Sequence, residues 1–421
     1  MIFFFYFLIA YNIGLFKFPA GLGQAFADLV NIIFFLFILP AYFRARKGVA
    51  KTLPLFKVLE IFWFLFLLYF IVLGVSSHSL SRFGSLGNIR LAYPYFLFWG
   101  SFVVLSDKNK IRTFLKALVI FSIIGGIISI IQSLYGIIPL FDIDGFYNIG
   151  HWGGNNMYIT PWIARVMLPP LYLIYIVFIA LLLNRMVLHD HKNDIILIFL
   201  IVPILIGFAR SQWLAVVLTI LITALVVSKK NDFNIKNIVR NIFFALVFIM
   251  LIYFIIRNVL PESFILALSV RFLRFFSDIE YGQGTFGSRL FTIGKSISLW
   301  LQSPLWGHGP AYAAIINMPE LSDVGFTFVL VTIGLVGFLL LMILSLTVVT
   351  FGYRIIKLGI QEKNKDLFFS GFISFSIPVF LFLSQTLGVH TFATVLLALG
   401  SGYCAAQYKI FLKSKTHVDN K

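Results

Sequence analysis

The sequence predicts an all-α integral membrane protein of about twelve transmembrane helices, with one large extracytoplasmic loop between spans nine and ten. Three observations carry that prediction. Hydrophobic residues fill 60% of the 421 positions and charged residues 12%, with a mean hydropathy of +0.98. A soluble domain is about 45–50% apolar and about 25% charged, so it does not match. Apolar runs near the length that crosses a bilayer, about 20 residues, recur along the chain. Lysines and arginines gather in short clusters on every second connection between those runs.

The first run, residues 1–16, lacks a basic leader and a small-residue cleavage site, so it reads as a retained span rather than a removed signal peptide. Further spans are expected at 22–43, 58–75, 91–106, 113–138, 162–183, 195–209, 212–228 and 241–260. Three more are expected at 325–351, 367–386 and 389–408. The basic clusters are Arg44/Arg46/Lys47/Lys51, Lys108/Lys110/Arg112, Arg185/Lys192, Lys229/Lys230/Lys236/Arg240, Arg354/Lys357/Lys363/Lys365 and Lys409/Lys413/Lys415. An even number of spans separates each from the next, so all six share one side, which the positive-inside bias makes cytoplasmic. Residues 1–260 then form nine spans, 261–324 an outer segment, and 325–421 three spans with a cytoplasmic tail. The net charge of +17 belongs to these loop clusters, not to a nucleic-acid surface. The single cysteine, Cys404, lies in an apolar run and excludes a disulfide framework or a CxxC metal site.

Some basic residues fall on the outer side of this map, against the bias: Arg210, Arg257, Arg271, Arg274, Arg289 and Lys295. Snorkelling to headgroups accounts for Arg257. In ILIGFARSQWLAVVL, residues 204–218, Arg210 sits in a tight turn between two apolar runs. FILALSVRFLRFFS, residues 264–277, sets Arg271 and Arg274 three apart on a helix suited to the membrane interface. SRLFTIGKSISLW, residues 288–300, follows at helical length, with Ser288 as a possible N-cap. Arg289 would then occupy the first turn, where the macrodipole disfavours a cation, so an anionic partner is expected there. QSPLWGHGPAY, residues 302–312, reads as a tight loop holding His308 between two glycines. Asp323 stands at the mouth of the next span, as a general base or as a helix N-cap. Arg165 lies just inside span six, where an unpaired charge is costly. A second outer segment, FDIDGFYNIGHWGGNN with Asp142, Asp144 and His151, reads as a solvated loop. Asp278, Glu280 and Glu320 are weaker substitutes for the base, and no carboxylate cluster with metal spacing stands near the loop.

Taken together, Ser288-Arg289-Leu290, Trp300, Pro304, Gly307, Gly309 and Pro310, then Asp323 with Gly334 and Gly337, resemble the O-antigen polymerase and ligase superfamily. Arg210-Ser211-Gln212-Trp213-Leu214 is similar to the arginine-x-x-x-leucine element these proteins carry at the outer end of a mid-chain helix. The motif match covers residues 205–340; outside it, topology alone agrees. Ligases of this superfamily carry histidine eleven residues before the first glycine of that pair, where this chain has Asp323, as the repeat-unit polymerases do. His308 is near enough in sequence to stand in for that histidine.

The resemblance implies an enzyme at the outer face of the bacterial inner (cytoplasmic) membrane that polymerises oligosaccharide repeats, without metal or cofactor. Donor and acceptor are both undecaprenyl-pyrophosphate-linked oligosaccharides, and a chain-length regulator in the membrane would be a further partner. Arg210 and Arg289 would grip the donor pyrophosphate, because a guanidinium holds phosphate oxygens bidentately and keeps its proton. Asp323 or His308 would take the acceptor proton. Arg165, Arg271, Arg274, Lys295 and Trp300 are the expected substrate-binding residues. A ligase passing finished glycan to another acceptor is the alternative within the family. A lipid-linked sugar flippase is the alternative of another class; the absence of a repeat between residues 1–210 and 211–421 speaks against it.

The topology sets a direct expectation. Cysteine at Gln283, in a Cys404→Ser background, should react with a membrane-impermeant thiol reagent in intact cells. Cysteine at Asn231 should react only after permeabilisation. The reverse pattern would invert the map.

Overall fold

A computed structural model describes residues 2–13, 15, 22–76, 93–135, 158–160, 163–164, 170–188, 192–207, 210–228, 284–309, 325–384, 387 and 391–419. In chain order the elements are α1 (Ile2–Asn12), α2 (Leu22–Ala45), α3 (Lys47–Thr52), α4 (Pro54–Ser76), α5 (Tyr93–Val104) and α6 (Lys108–Tyr135). A short antiparallel pair follows, β1 (Tyr158–Thr160) and β2 (Ile163–Ala164). Then come α7 (Leu171–Leu188), α8 (Asp194–Ile206), α9 (Arg210–Ser228), α10 (Gly284–Trp300), α11 (Gly325–Gln361), α12 (Lys365–Leu383) and α13 (Thr391–Asp419). Among the described residues five stretches are long and apolar enough to cross a membrane: Pro54–Leu73, Lys108–Ile131, Gly325–Gln361, Lys365–Leu383 and Thr394–Lys415. The described elements are therefore helices apart from one small hairpin, an architecture that fits a multi-pass membrane protein. It divides into two compact units, residues 1–122 with 292–421, and residues 123–291.

Several expected boundaries move, each for a local reason. The helix expected over 162–183 starts at Leu171, because the consecutive Pro169 and Pro170 each lack an amide and crowd the preceding turn, which disfavours a helix running through both. The β pair occupies part of the preceding stretch instead. Arg210 is the first residue of α9 rather than part of the turn before it. α11 runs ten residues past the expected end at 351, and α13 reaches Asp419, since basic residues extend a helix into the aqueous layer without penalty. α5 is described over twelve residues of the span expected at 91–106, and nearly all of them are buried in the core of the first unit. The expected span at 241–260 and the interfacial helix at 264–277 lie outside the described residues.

In the first unit the core gathers around α5. Trp63 stacks on Phe98 at 5.3 Å, Phe56 stacks on Phe102 at 5.3 Å, and Phe35 stacks on Phe96 at 4.1 Å. Lipid is as apolar as these side chains, so burial alone does not drive helices together there, and close packing has to. Glycines permit it. A Cβ on Gly402 of α13 would stand 2.5 Å from the Phe98 carbonyl oxygen. The α11–α12 hairpin is as close along its length: a Cβ on Gly359 would meet the Phe368 amide at 2.5 Å, and one on Gly371 the Ile356 amide at 2.6 Å. Asn364 caps α12, its side chain accepting from the Leu367 amide at 3.0 Å.

Polar pins fix the end of this unit that carries the Arg44 to Lys51 cluster. Buried Glu60 of α4 accepts from the Tyr42 hydroxyl and from Arg46, the latter at 2.9 Å. Lys409, also buried, donates to the Phe102 carbonyl at 2.8 Å and so satisfies the last turn of α5. Asp107 stands ahead of α6 and accepts from the Lys110 amide at 2.9 Å, which holds its carboxyl below the usual range. In the second unit, Arg185 and Asp194 pair at 3.2 Å across the α7–α8 connection. Trp213 donates from its indole to the Ile204 carbonyl at 2.9 Å, bracing the short turn that leads into α9.

Glycine substitutions separate packing from propensity. Gly371→Ala should lower the thermal midpoint of the detergent-solubilised protein, because the added methyl pushes α11 and α12 apart. Gly294 has no atom within 4 Å of its Cβ position, so Gly294→Ala should stabilise, by up to about 1 kcal/mol from helix propensity. Equal midpoints for the two variants would refute the packing account.

Candidate functional site

The site is built where the α10–α11 connection crosses α11. α10 tightens at its end, with Gln302 donating to the Leu299 carbonyl at 3.1 Å and Ser303 to the Trp300 carbonyl at 2.9 Å. Pro304 then stops it. The chain continues through Leu305, Trp306, Gly307, His308 and Gly309, which lie against a break inside α11 at Gly334, where φ is 63° and ψ is −175°. A break frees amides on one side and carbonyls on the other, and buried among packed helices these must find partners. The loop supplies them in both directions. His308 and Gly309 donate to the Val331 and Thr332 carbonyls at 2.9 and 2.8 Å, while Leu335 and Val336 donate to the Pro304 and Leu305 carbonyls at 2.9 and 3.1 Å.

The glycines of the motif follow from this crossing. Gly307 has φ 73°, and a Cβ there would stand 2.4 Å from the Gly334 amide. A Cβ on Gly334 would stand 2.3 Å from the Leu305 carbonyl oxygen. Two backbones touch, and no side chain fits between them. Gly337 has a different reason: its missing Cβ would lie 2.6 Å from the Tyr69 ring of α4. Tyr69 places its hydroxyl beside the carbonyls of Trp306, at 3.0 Å, and Ile333.

The expected site residues divide accordingly. His308 is half-buried, with Nε2 2.8 Å from the Leu299 carbonyl oxygen. A carbonyl only accepts, so Nε2 carries the hydrogen, and in the neutral ring Nδ1 is the basic nitrogen. Trp300, expected at the substrate, donates its indole hydrogen to the Pro304 carbonyl at 2.9 Å. Its ring packs with Leu299 and Phe328 around buried Val331, so it braces the loop. Lys295 is half-buried on α10, whose Thr292 and Ser296 are buried while Leu290, Phe291 and Ile297 are exposed. α10 starts at Gly284, four residues before Ser288, so Ser288 is not the N-cap and Arg289 falls in the second turn. The macrodipole reasoning for an anion at Arg289 therefore lapses, since that effect fades beyond the first turn. The glycine-rich GTFG start is why the sequence reads as loop there. Arg210 opens α9, and Arg210 and Arg289 belong to the second unit while Lys295, Trp300 and His308 belong to the first.

Arg165, Arg271, Arg274 and Asp323 lie outside the described residues, as do Asp142, Asp144, His151, Asp278, Glu280 and Glu320. Among the described residues no group of three His, Cys, Asp or Glu side chains stands close enough to hold a metal ion. Sequence reading missed Tyr69, which looks like one more aromatic in an apolar run. Its hydroxyl, a polar tip that must be bonded in hydrocarbon, is the one signal it carried. Fold and loop together define a protein of multi-pass membrane character in which the α10–α11 connection is stitched into a broken helix. No protein-family model matches the chain, and no curated protein matches it.

The crossing makes a graded prediction for stability. Gly334→Ala places a side chain at positive φ and against the Leu305 carbonyl, and should cost more than about 2 kcal/mol. Trp300→Phe removes one hydrogen bond from a carbonyl that keeps its Leu335 partner, and should cost about 1 kcal/mol. Thermal unfolding of the two variants should therefore rank them in that order.

Proposed function

We propose that this chain is a membrane glycosyltransferase that polymerises undecaprenyl-pyrophosphate-linked oligosaccharide repeats into surface polysaccharide, of the O-antigen or capsule type, at the outer face of the bacterial inner membrane. The observation that carries this reading is the stitched crossing. Pro304, Gly307 and Gly309 on one side, and Gly334 and Gly337 on the other, are separate motif elements in sequence and one structural unit in space. That unit holds His308 with its ring orientation set.

Depth supports the outer face. Arg354 follows the apolar part of α11, and the twenty residues back to Gly334 rise about 30 Å at 1.5 Å each, the thickness of the hydrocarbon core. With Arg354 cytoplasmic, the crossing stands at the opposite boundary, level with lipid headgroups. Twelve spans, with both termini inside, remain the proposed topology.

In the transfer, the acceptor hydroxyl attacks the anomeric carbon of the donor glycan. Its proton passes to the base, His308 through Nδ1 or Asp323, as the bond from that carbon to the pyrophosphate oxygen breaks. The departing lipid pyrophosphate gains negative charge, which Arg210 and Arg289 neutralise through paired N–H bonds. Arg165, Arg271, Arg274 and Lys295 supply further positive charge for the substrates, and a chain-length regulator is the proposed protein partner. A ligase would use the same donor chemistry, and the oriented ring of His308 is the observation in its favour. A flippase is less well supported: discontinuous helices do hold ions and substrates in transporters, but here the groups freed by the break are bonded to the chain's own loop.

Lysine at Arg210 or Arg289 should fail to rescue transfer, because a point charge lacks the fork. The loss should be about 2–4 kcal/mol of transition-state stabilisation, about 30- to 1000-fold in rate. Arg257→Lys should be nearly silent. The measurement is polymer formed by membranes holding each variant at equal abundance. Wild-type rates for both arginine variants would reduce them to electrostatic anchors. Glycan from a deletion strain separates the enzyme classes: single repeats on the surface indicate a polymerase, and long polymer left on the carrier indicates a ligase.

A further inference from the structure

We infer that Tyr69 is a positioning residue that keeps α11 broken and thereby holds the His308 loop in place; the inference rests on the transferase reading above. In an unbroken helix the Ile333 carbonyl accepts from the Gly337 amide, four residues on. Here the Tyr69 hydroxyl donates to that Ile333 carbonyl, and its ring lies against Gly337. A side chain from α4 has been inserted into the hydrogen-bond ladder of α11, a recognised cause of helix kinks. The same hydroxyl lies 3.0 Å from the carbonyl of Trp306, on the loop side of the crossing.

The rest of the neighbourhood serves this insertion. The ring reaches the ladder because Gly337 has no side chain to stop it. It lies nearly parallel to the Trp306 indole, at 6.4 Å and 21°. Trp306 falls between the two pairs of backbone bonds that stitch the loop, 304 and 305 with 335 and 336 on one side, 308 and 309 with 331 and 332 on the other. α4 is itself pinned nine residues earlier, where Glu60 meets Tyr42 and Arg46, so the hydroxyl is presented from a fixed rod. Without it, Ile333 and Gly337 can pair directly. That rewinding competes with the geometry at Gly334 on which the loop's four backbone bonds depend.

The test uses Tyr69→Phe in the full-length detergent-purified protein, read by amide hydrogen exchange and by transfer of a lipid-linked repeat. The His308 and Gly309 amides should exchange about tenfold faster, while amides of α12 and α13 hold their wild-type rates. The maximal transfer rate should fall about tenfold, with half-saturation by the lipid-linked repeat unchanged. Gly337→Ala, which crowds the ring while keeping the hydroxyl, should give the same exchange pattern should Tyr69→Phe fold poorly. Unchanged exchange at His308 and Gly309 overturns the inference, as does acceleration spread over the whole chain. Faster exchange with a wild-type transfer rate overturns the positioning role. If the wild-type protein itself transfers no sugar, the transferase reading falls, and the exchange result still decides whether Tyr69 holds the loop.

Discussion

A backbone group buried in packed protein must find a partner, and this constraint organises the crossing at Gly334. Every amide or carbonyl released by the break would cost about as much as a lost hydrogen bond if left bare. The loop from Pro304 to Gly309 answers four of them, and Tyr69 answers the Ile333 carbonyl, which the loop does not reach. Neither partner is stable in that form alone. A buried loop needs a bonded wall, and a broken helix needs donors and acceptors. Their mutual satisfaction turns two locally unfavourable conformations into a rigid platform, and His308 rides on it through its own bond to Leu299.

The platform is steady because the helices behind it approach to backbone contact. α11 bears the break in its first third and is clamped to α12 further along through Gly352, Gly359 and Gly371. α4, which delivers Tyr69, packs against the aromatic core around α5 and is tied to α2 through Glu60. A buried carboxylate with one partner would be a liability in this setting. With the Tyr42 hydroxyl and the Arg46 guanidinium both on it, the group is neutralised and its lone pairs are used.

Arg46, Lys409 and Lys415 each spend their charge on a partner within the fold: Glu60, the end of α5, and Glu362 at 2.8 Å. The transferase reading needs the opposite condition, arginines whose partners arrive with the substrate. It gives that part to Arg210, the first residue of α9, and Arg289, in the second turn of α10.

Sequence alone determined the class of this protein, because hydropathy and residue charge act locally. Apolar runs near 58–75, 113–138, 325–351 and 367–386 are helices in the structure, whereas the span expected over 162–183 begins only after the Pro169–Pro170 pair. The proline and glycines of residues 304–309 and the GLVG of 334–337 were also legible as special backbone. What they were special for was not. The break at Gly334 exists only against Leu305 and Gly307, and the role of Gly337 only against Tyr69, which is 264 residues from the Ile333 carbonyl it touches. Trp300 likewise looks like a substrate platform until its indole is seen bonded to Pro304. Local propensity has no access to such pairings, because the partner that satisfies a backbone group is chosen by packing. Tertiary structure therefore decided where the helix breaks, what holds it broken, and which way His308 points.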